Sequence, residues 1–371
     1  MVKTDPSLLN AVLLLEPDNF TNQMWGGDWI PRFKGLAPAR GPVGESWEFS
    51  VRPERPTSVR LSNGDRVPLP VLFREHPVEM LGPRFAQRFD GVAPLLIKFI
   101  DAQDDLSLQV HPSDTDLGPD AKDGGKSESW TILETGAEDG DGFIYLGFDA
   151  ERAAGYAGPD DFETAFFDAL NQANALGPSR DPAVRAKAAR LVLPFLNKVR
   201  VRPGEVYDIR PGVIHATGRG VRLFEIQQSS DLTYRVWDWN RPDAEKLKEG
   251  KTVFRDLHLK EARAVMDFRA APPLVRMPGR ANGREEELVM EQEKKFAAKR
   301  ICFEDTRTEA TLSTGGQFQV LTALQGEVVM KATTEVRLTR GRSALVPACV
   351  GKFSIKAASA PSEVVRSYVP I

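Results

Sequence analysis

The chain has 371 residues, 41% of them hydrophobic and 27% charged, with a formal net charge of −3. That length supports two domains, or one large domain with a smaller companion, and the weakly acidic balance without long like-charge runs argues against nucleic acid as a partner. No apolar stretch approaches the roughly 18 residues of a membrane span, and the run Ala11 to Leu15 is too short for a signal-peptide core, so the expected location is the cytoplasm with no membrane partner.

From about Gly44 to Leu146 the chain runs through short alternating or apolar segments broken by Pro, Gly and Asp: ESWEFSV, TSVRLS, APLLIKFI, LSLQVHP, SESWTILE and GFIYLGF. This pattern predicts antiparallel strands. A different period follows in DDFETAFFDALNQANAL, where Phe162, Ala165, Phe166, Ala169, Leu170, Ala173 and Leu176 recur at helical spacing, with Asp160 and Glu163 as an expected capping box. A second helix is expected in DPAVRAKAARLVLPFLNKV, with Asp181 as N-cap, Pro182 in the first position and Pro194 ending or kinking it. Strands resume at GEVYDIRPGVIHA, VRLFEIQQSS and TYRVWDW, so the helices read as an insertion at about 159–200 within one β domain.

Residues 267–285, rich in Pro, Arg, Gly and Ala without a period, make the best linker candidate. Beyond them GGQFQVLTALQGEVVMK, TEVRLTRGRSALVPA and KFSIKA alternate again, and Gly341 to Pro347 loosely resembles Gly204 to Pro211, a hint of two related β-barrel units. The expected division is a catalytic domain over 1–270, a linker over 271–284 and a smaller β domain over 285–371. Cys302 and Cys349 lack metal-type spacing, which fits a reducing compartment, and both are expected as buried small apolar residues.

Histidine is the commonest metal ligand, and the chain's four are His76, His111, His215 and His258. His76 and His258 are flanked by charges and read as solvated. In LSLQVHP, Ser107, Gln109 and His111 share one strand face while Leu106, Leu108 and Val110 share the other. In GKSESWTIL, Lys126, Glu128 and Trp130 likewise share a face, and in PGVIHATG a Pro-Gly turn feeds the short strand that begins at His215. Gln109, His111, Glu128 and His215 together make an N2O2 set suited to zinc or another divalent first-row ion. The order Q-x-H, then E, then P-G-x-x-H-A in a β-rich chain is the layout of a cupin barrel. Downstream, VRLFEIQQSSDLTYRVWDWNR brings Glu225, Asp231, Arg235 and Arg241 close in sequence. Lys98, the one charge in PLLIKFI, either snorkels or faces a polar cavity; with Ser107 and Lys126 it would form a phosphate-compatible lining.

These stretches, together with WGGDWI and GESWEFS, resemble the type I mannose-6-phosphate isomerases, or phosphomannose isomerases, in their shorter bacterial form. The resemblance covers residues 25–239 and rests above all on LIKF, LSLQVHP, GKxExW and the SDxxxR segment after His215. It implies a cupin-type fold with one zinc ion per chain held by Gln109, His111, Glu128 and His215, and the interconversion of mannose 6-phosphate and fructose 6-phosphate. It also implies that Lys98, Ser107, Lys126, Asp231 and Arg235 line the substrate site, with the arginine essential for activity, and that the second barrel is structural. Thr217 stands where longer members carry an aromatic residue.

An aldose–ketose isomerisation passes through an enediol, whose developing charge calls for a Lewis acid and nearby cations. Arg235 and Lys126 are expected to stabilise the enediolate or phosphate, and a carboxylate or a water on the metal to carry the proton. Asp231 and Glu225 are the carboxylate candidates, and Glu225 is further expected in substrate binding. Rival readings are a non-catalytic sugar-phosphate-binding cupin, an isomerase of another hexose phosphate, and a metal cupin of different chemistry.

Overall fold

A computed structural model describes residues 9–60, 64–89, 92–136, 142–269, 275–292 and 295–370. The protein is mainly β and divides into two compact units: residues 1–101, 224–229 and 276–371 form one, and 102–223 with 230–275 form the other. Of the expected linker, residues 271–274 lie outside the described residues.

In the first unit an antiparallel sheet runs Leu13–Leu14, Ser343–Val346, Gln319–Lys331, Lys352–Tyr368, Phe296–Phe303, Glu285–Gln292, with Glu309–Ser313 and Glu335–Thr339 added on Lys352–Tyr368 and Gln319–Lys331. Its core gathers inward-alternating residues such as Ile301, Leu321, Val328, Met330, Ile355 and Val364. The strands Phe20–Gly27, Val43–Phe49 and Leu95–Asp101 also pair antiparallel in this unit. Between them Lys34 is buried with its ammonium on Glu48 and Ser46, a charge taken out of water only because it is paired and hydrogen-bonded. Cys302 is buried as expected, but Cys349 is exposed, its thiol turned to the Leu9 carbonyl at 3.0 Å; it follows the Pro347 turn, in a short 3₁₀ segment rather than a strand.

The second unit is built on an antiparallel sheet in the order Leu196–Val201, Gly142–Phe148, His215–Thr217, Leu108–Val110, Tyr234–Trp237. One face is covered by helices. Phe162, Phe166, Leu170 and Ala173 from Pro159–Asn174, Ala188 and Val192 from Pro182–Val192, and Ala262 from Leu259–Val265 pack against Leu108, Val110, Tyr145, Ala216 and Val236. Leu108 and Val110 of LSLQVHP therefore meet the helical insertion, and Gln109 between them faces the other way.

Local signals explain most helix ends. Asp181 accepts from the Ala183 N–H at 2.8 Å with Pro182 in the first turn, and the helix gives way to a 3₁₀ turn, Leu193–Phe195, at Pro194. The insertion ends there, since Leu196–Val201 is already a strand. The Asp160/Glu163 capping box does not form: Pro159 takes a position in the first turn, so the N-cap is Gly158 and Asp160 lies inside the helix.

One turn departs from ordinary backbone geometry. Trp239 and Asn240 have φ of 56° and 51°, and the Arg241 N–H bonds the Asp238 carbonyl at 2.9 Å, a reversal with two left-handed central residues. A bulky residue at positive φ persists only where its surroundings over-determine it. Here Trp239 Nε1 donates to the Leu106 carbonyl at 2.7 Å, Asn240 Oδ1 accepts from Trp237 Nε1 at 2.7 Å, and Asn240 Nδ2 donates to the Ala173 and Gly177 carbonyls at 2.7 and 3.0 Å. Asn240→Ala removes these bonds and leaves a β-carbon at a strained φ, so a loss of about 3–5 kcal/mol is expected, read as a lower urea midpoint; a midpoint within error of the wild type would contradict this reading of the turn.

Candidate metal centre

The Arg210–Val213 turn, with Pro211 and then Gly212 at φ 80°, is closed by the Val213 N–H on the Arg210 carbonyl at 3.2 Å. Pro followed by a positive-φ Gly is the type II pattern. The Gly212 N–H donates to the His111 carbonyl at 2.9 Å, and the Lys126 N–H to the Pro112 carbonyl at 2.9 Å. These bonds join the end of LSLQVHP to the starts of the PGVIHATG and GKSESWTIL strands.

Strand register then lines up the side chains. His215 and Arg235 are each the cross-strand partner of Gln109, from opposite sides. Directly opposed residues project to the same face, so His215, Gln109 and Arg235 form a row on the face opposite the helices. Gln109 Nε2 lies 3.3 Å from His215 Nε2; half a turn of the carboxamide presents its oxygen instead. Thr217, one alternation along from His215, is buried on that strand with a hydroxyl lacking a hydrogen-bond partner.

His111, Glu128 and His215 are 1%, 1% and 0% exposed, and one ligand atom from each lies within 4.8 Å of the others. Glu128 Oε1 is 3.3 Å from His111 Nε2, and Oε2 is 3.8 Å from His215 Nε2. Each imidazole gives its other nitrogen to a backbone carbonyl: His111 Nδ1 to Leu232 at 2.9 Å and His215 Nδ1 to Val213 at 2.8 Å. That contact places the proton on Nδ1 and leaves Nε2 as a lone pair aimed at the carboxylate. His111 Nε2 and Glu128 Oε2 are buried without any hydrogen-bond partner.

Burial, with Lys126 adding to it, lowers the His111 pKa, and burial followed by His111 pushes His215 down to about 3, so both rings are neutral at ordinary pH. Burial would raise the Glu128 carboxyl, but the charge around it, foremost the Lys126 ammonium 2.8 Å from Oε1, holds it well below its usual range. Two neutral imidazoles and a carboxylate with unsatisfied atoms facing one another are a donor set that suits a divalent cation. Trp130, on the same strand face as Glu128, closes the group with its ring edge-on to His215 at 5.5 Å.

The remaining candidates divide between the units. In the second unit Ser107 is buried and Asp231 is exposed, its N–H donating to Asp123 Oδ2 at 3.0 Å. The half-buried Arg235 gives Nη1 to the Asp256 carbonyl at 2.8 Å, and its Nε has no partner. Burial, then Arg255, disfavours its charged form. Lys98 and Glu225 belong to the first unit. Lys98 is buried with its ammonium 4.6 Å above the Trp47 ring and 3.7 Å from Glu45 Oε1, and Glu225 is buried on Val221–Gln228.

Charge-flanked sequence hid His258, which is half-buried and accepts the Arg235 N–H at Nδ1, at 3.1 Å. No local periodicity marks it. The other such histidine, His76, is also half-buried, at the junction of the helices Leu69–Glu75 and Pro77–Leu81.

A family model, phosphomannose isomerase type I, catalytic domain, matches residues 15–124. The mannose-6-phosphate isomerase ManA of Bacillus subtilis (strain 168) is 30% identical over 255 residues, 68% of this chain and 67% of that protein. A mannose-6-phosphate isomerase of Streptococcus mutans is 30% identical over 240 residues, 65% of this chain and 63% of its own. The crystal structure of mannose 6-phosphate isomerase from Bacillus subtilis matches 97% of this chain and 100% of that one at a TM-score of 0.76 and 23% identity, a likeness of fold. With that fold, mainly β and of cupin type, and with that extent of sequence identity, the chain belongs to the type I mannose-6-phosphate isomerase family.

Proposed function

We propose that the protein is a zinc-dependent isomerase that interconverts mannose 6-phosphate and fructose 6-phosphate through an enediol, with one zinc ion held by His111, Glu128 and His215 and by Gln109 beside them. The observation that carries the metal reading is the pair of buried, unpartnered atoms, His111 Nε2 and Glu128 Oε2, in a group whose other nitrogens are already committed to Leu232 and Val213. Bound there, a divalent cation would supply Lewis acidity toward the sugar oxygens.

The protein's own groups do the rest. Lys126, which lies against the Glu128 carboxylate, stabilises the negative charge that develops on the sugar during proton transfer. Arg235 projects on the Gln109 and His215 face with an unbonded Nε and a charge that burial disfavours, which suits an enediolate oxygen or a phosphate. Ser107 and Lys98 bind substrate, with Glu225 as a further contact. The proton moves between C1 and C2 on a carboxylate, for which Asp231 and Glu225 are the candidates. All these residues lie within 1–270, which we take as the catalytic region, with 285–371 in a structural role.

The purified chain should convert mannose 6-phosphate, lose that activity to a chelator and regain it with zinc. Bound metal without turnover on mannose 6-phosphate or another hexose phosphate would replace this reading with that of a sugar-phosphate-binding protein. His111→Ala should abolish bound metal in elemental analysis; full metal and full activity in that variant would remove His111 from the ligand set. Arg235→Ala should retain metal while kcat/KM falls by about 10²–10³-fold, the scale of losing one charge-stabilising donor.

A further inference from the structure

His258 precedes the helix Leu259–Val265, and the Ala262 N–H donates to its carbonyl at 2.8 Å. Ala262 is fully buried in the core beneath the five-stranded sheet, so His258 is held by a packed element. From there it meets Arg235 twice. The His258 N–H donates to the Arg235 carbonyl at 2.8 Å, and the Arg235 N–H donates to His258 Nδ1 at 3.1 Å. Two residues upstream, the Asp256 carbonyl accepts from Arg235 Nη1 at 2.8 Å.

Tyr234–Trp237 is the last strand of its sheet, so Arg235 turns its N–H and carbonyl outward, where a further strand would pair. His258 supplies that pairing with one main-chain donor and one ring acceptor. Because these groups are spent outward, Arg235 and Gln109 face each other as a non-hydrogen-bonded pair, the closer of the two kinds. The main chain and the guanidinium of Arg235 are thus both gripped by the Asp256–His258 segment.

We propose that His258 is a positioning residue: through an unprotonated Nδ1 it fixes how Arg235 projects beside Gln109 and His215. The proposal rests on the role given above to Arg235. Its chemical requirement is an acceptor at the δ position of residue 258, which Asn can supply with Oδ1 and Gln, whose polar atoms sit one carbon further out, cannot.

The test is a set of steady-state kinetics and metal analyses on the full-length, metal-loaded protein. His258→Gln should lower kcat/KM about tenfold, equivalent to ~1.4 kcal/mol, with bound metal and thermal midpoint unchanged. His258→Asn should stay within about twofold of the wild type, and His258→Gln added to Arg235→Ala should cost less than about twofold more. A folded, metal-loaded His258→Asn enzyme that loses the tenfold overturns the proposal by itself, even where the Gln variant fails to fold. A full tenfold loss on top of an impaired Arg235→Ala enzyme overturns the clamp and leaves the role of Arg235 standing. Wild-type turnover by Arg235→Ala removes the role of Arg235 and the clamp with it.

Discussion

Two imidazoles that have each committed one nitrogen to a backbone carbonyl leave two lone pairs and a carboxylate facing one another in a buried place. A buried carboxylate costs several kcal/mol unless it is compensated, and Lys126 compensates one oxygen of Glu128 while the other stays without a partner. Leu232 and Val213 leave each ring with one presentable nitrogen, since the Nδ1–H that donates to each carbonyl fixes the tautomer. Lone pairs set against a buried carboxylate are unfavourable by themselves, and a divalent cation would remove the conflict.

The sheet turns that local chemistry into a site. Antiparallel register sets His215 and Arg235 on either side of Gln109, and the helices bury the opposite face, so the polar row is fixed in height by backbone pairing and in direction by a hydrophobic core. The Trp239–Asn240 turn works to the same end from the far side. It ties the end of the Arg235 strand to the Leu106 carbonyl, just before the strand that carries Gln109, and to the end of the helix Pro159–Asn174. Positive φ at two adjacent non-glycine residues is the conformational cost of that tie.

What could be read from the sequence was local and periodic. The alternation in LSLQVHP, the Lys-x-Glu-x-Trp face, the Pro-Gly turn before His215 and the Asp181-Pro182 helix start each depend on residues close in the chain, and a strand or helix stands at each, though the strands Leu108–Val110 and Glu128–Thr135 are shorter than their segments and leave Ser107, His111 and Lys126 just outside. What stayed hidden is non-local or geometric. Arg235 meets His258 only after the chain has turned back through Asp256, and His258 lies in a charged stretch with no alternation to betray it. Asn240 looks like any loop asparagine until its three partners are assembled, and Cys349 is exposed because a 3₁₀ turn, not a strand, follows Pro347. The first unit joins 1–101 to 276–371, a grouping that no local pattern announces.

The claim at the centre of this account is that the buried imidazole–carboxylate group is built around a cation. Anomalous scattering at the zinc absorption edge, from crystals of the purified protein, measures this directly. The account predicts one strong peak within bonding distance of the Nε2 atoms of His111 and His215 and an oxygen of Glu128. A zinc-loaded protein whose peak lies on other residues, or on Nδ1 of either histidine, would contradict it.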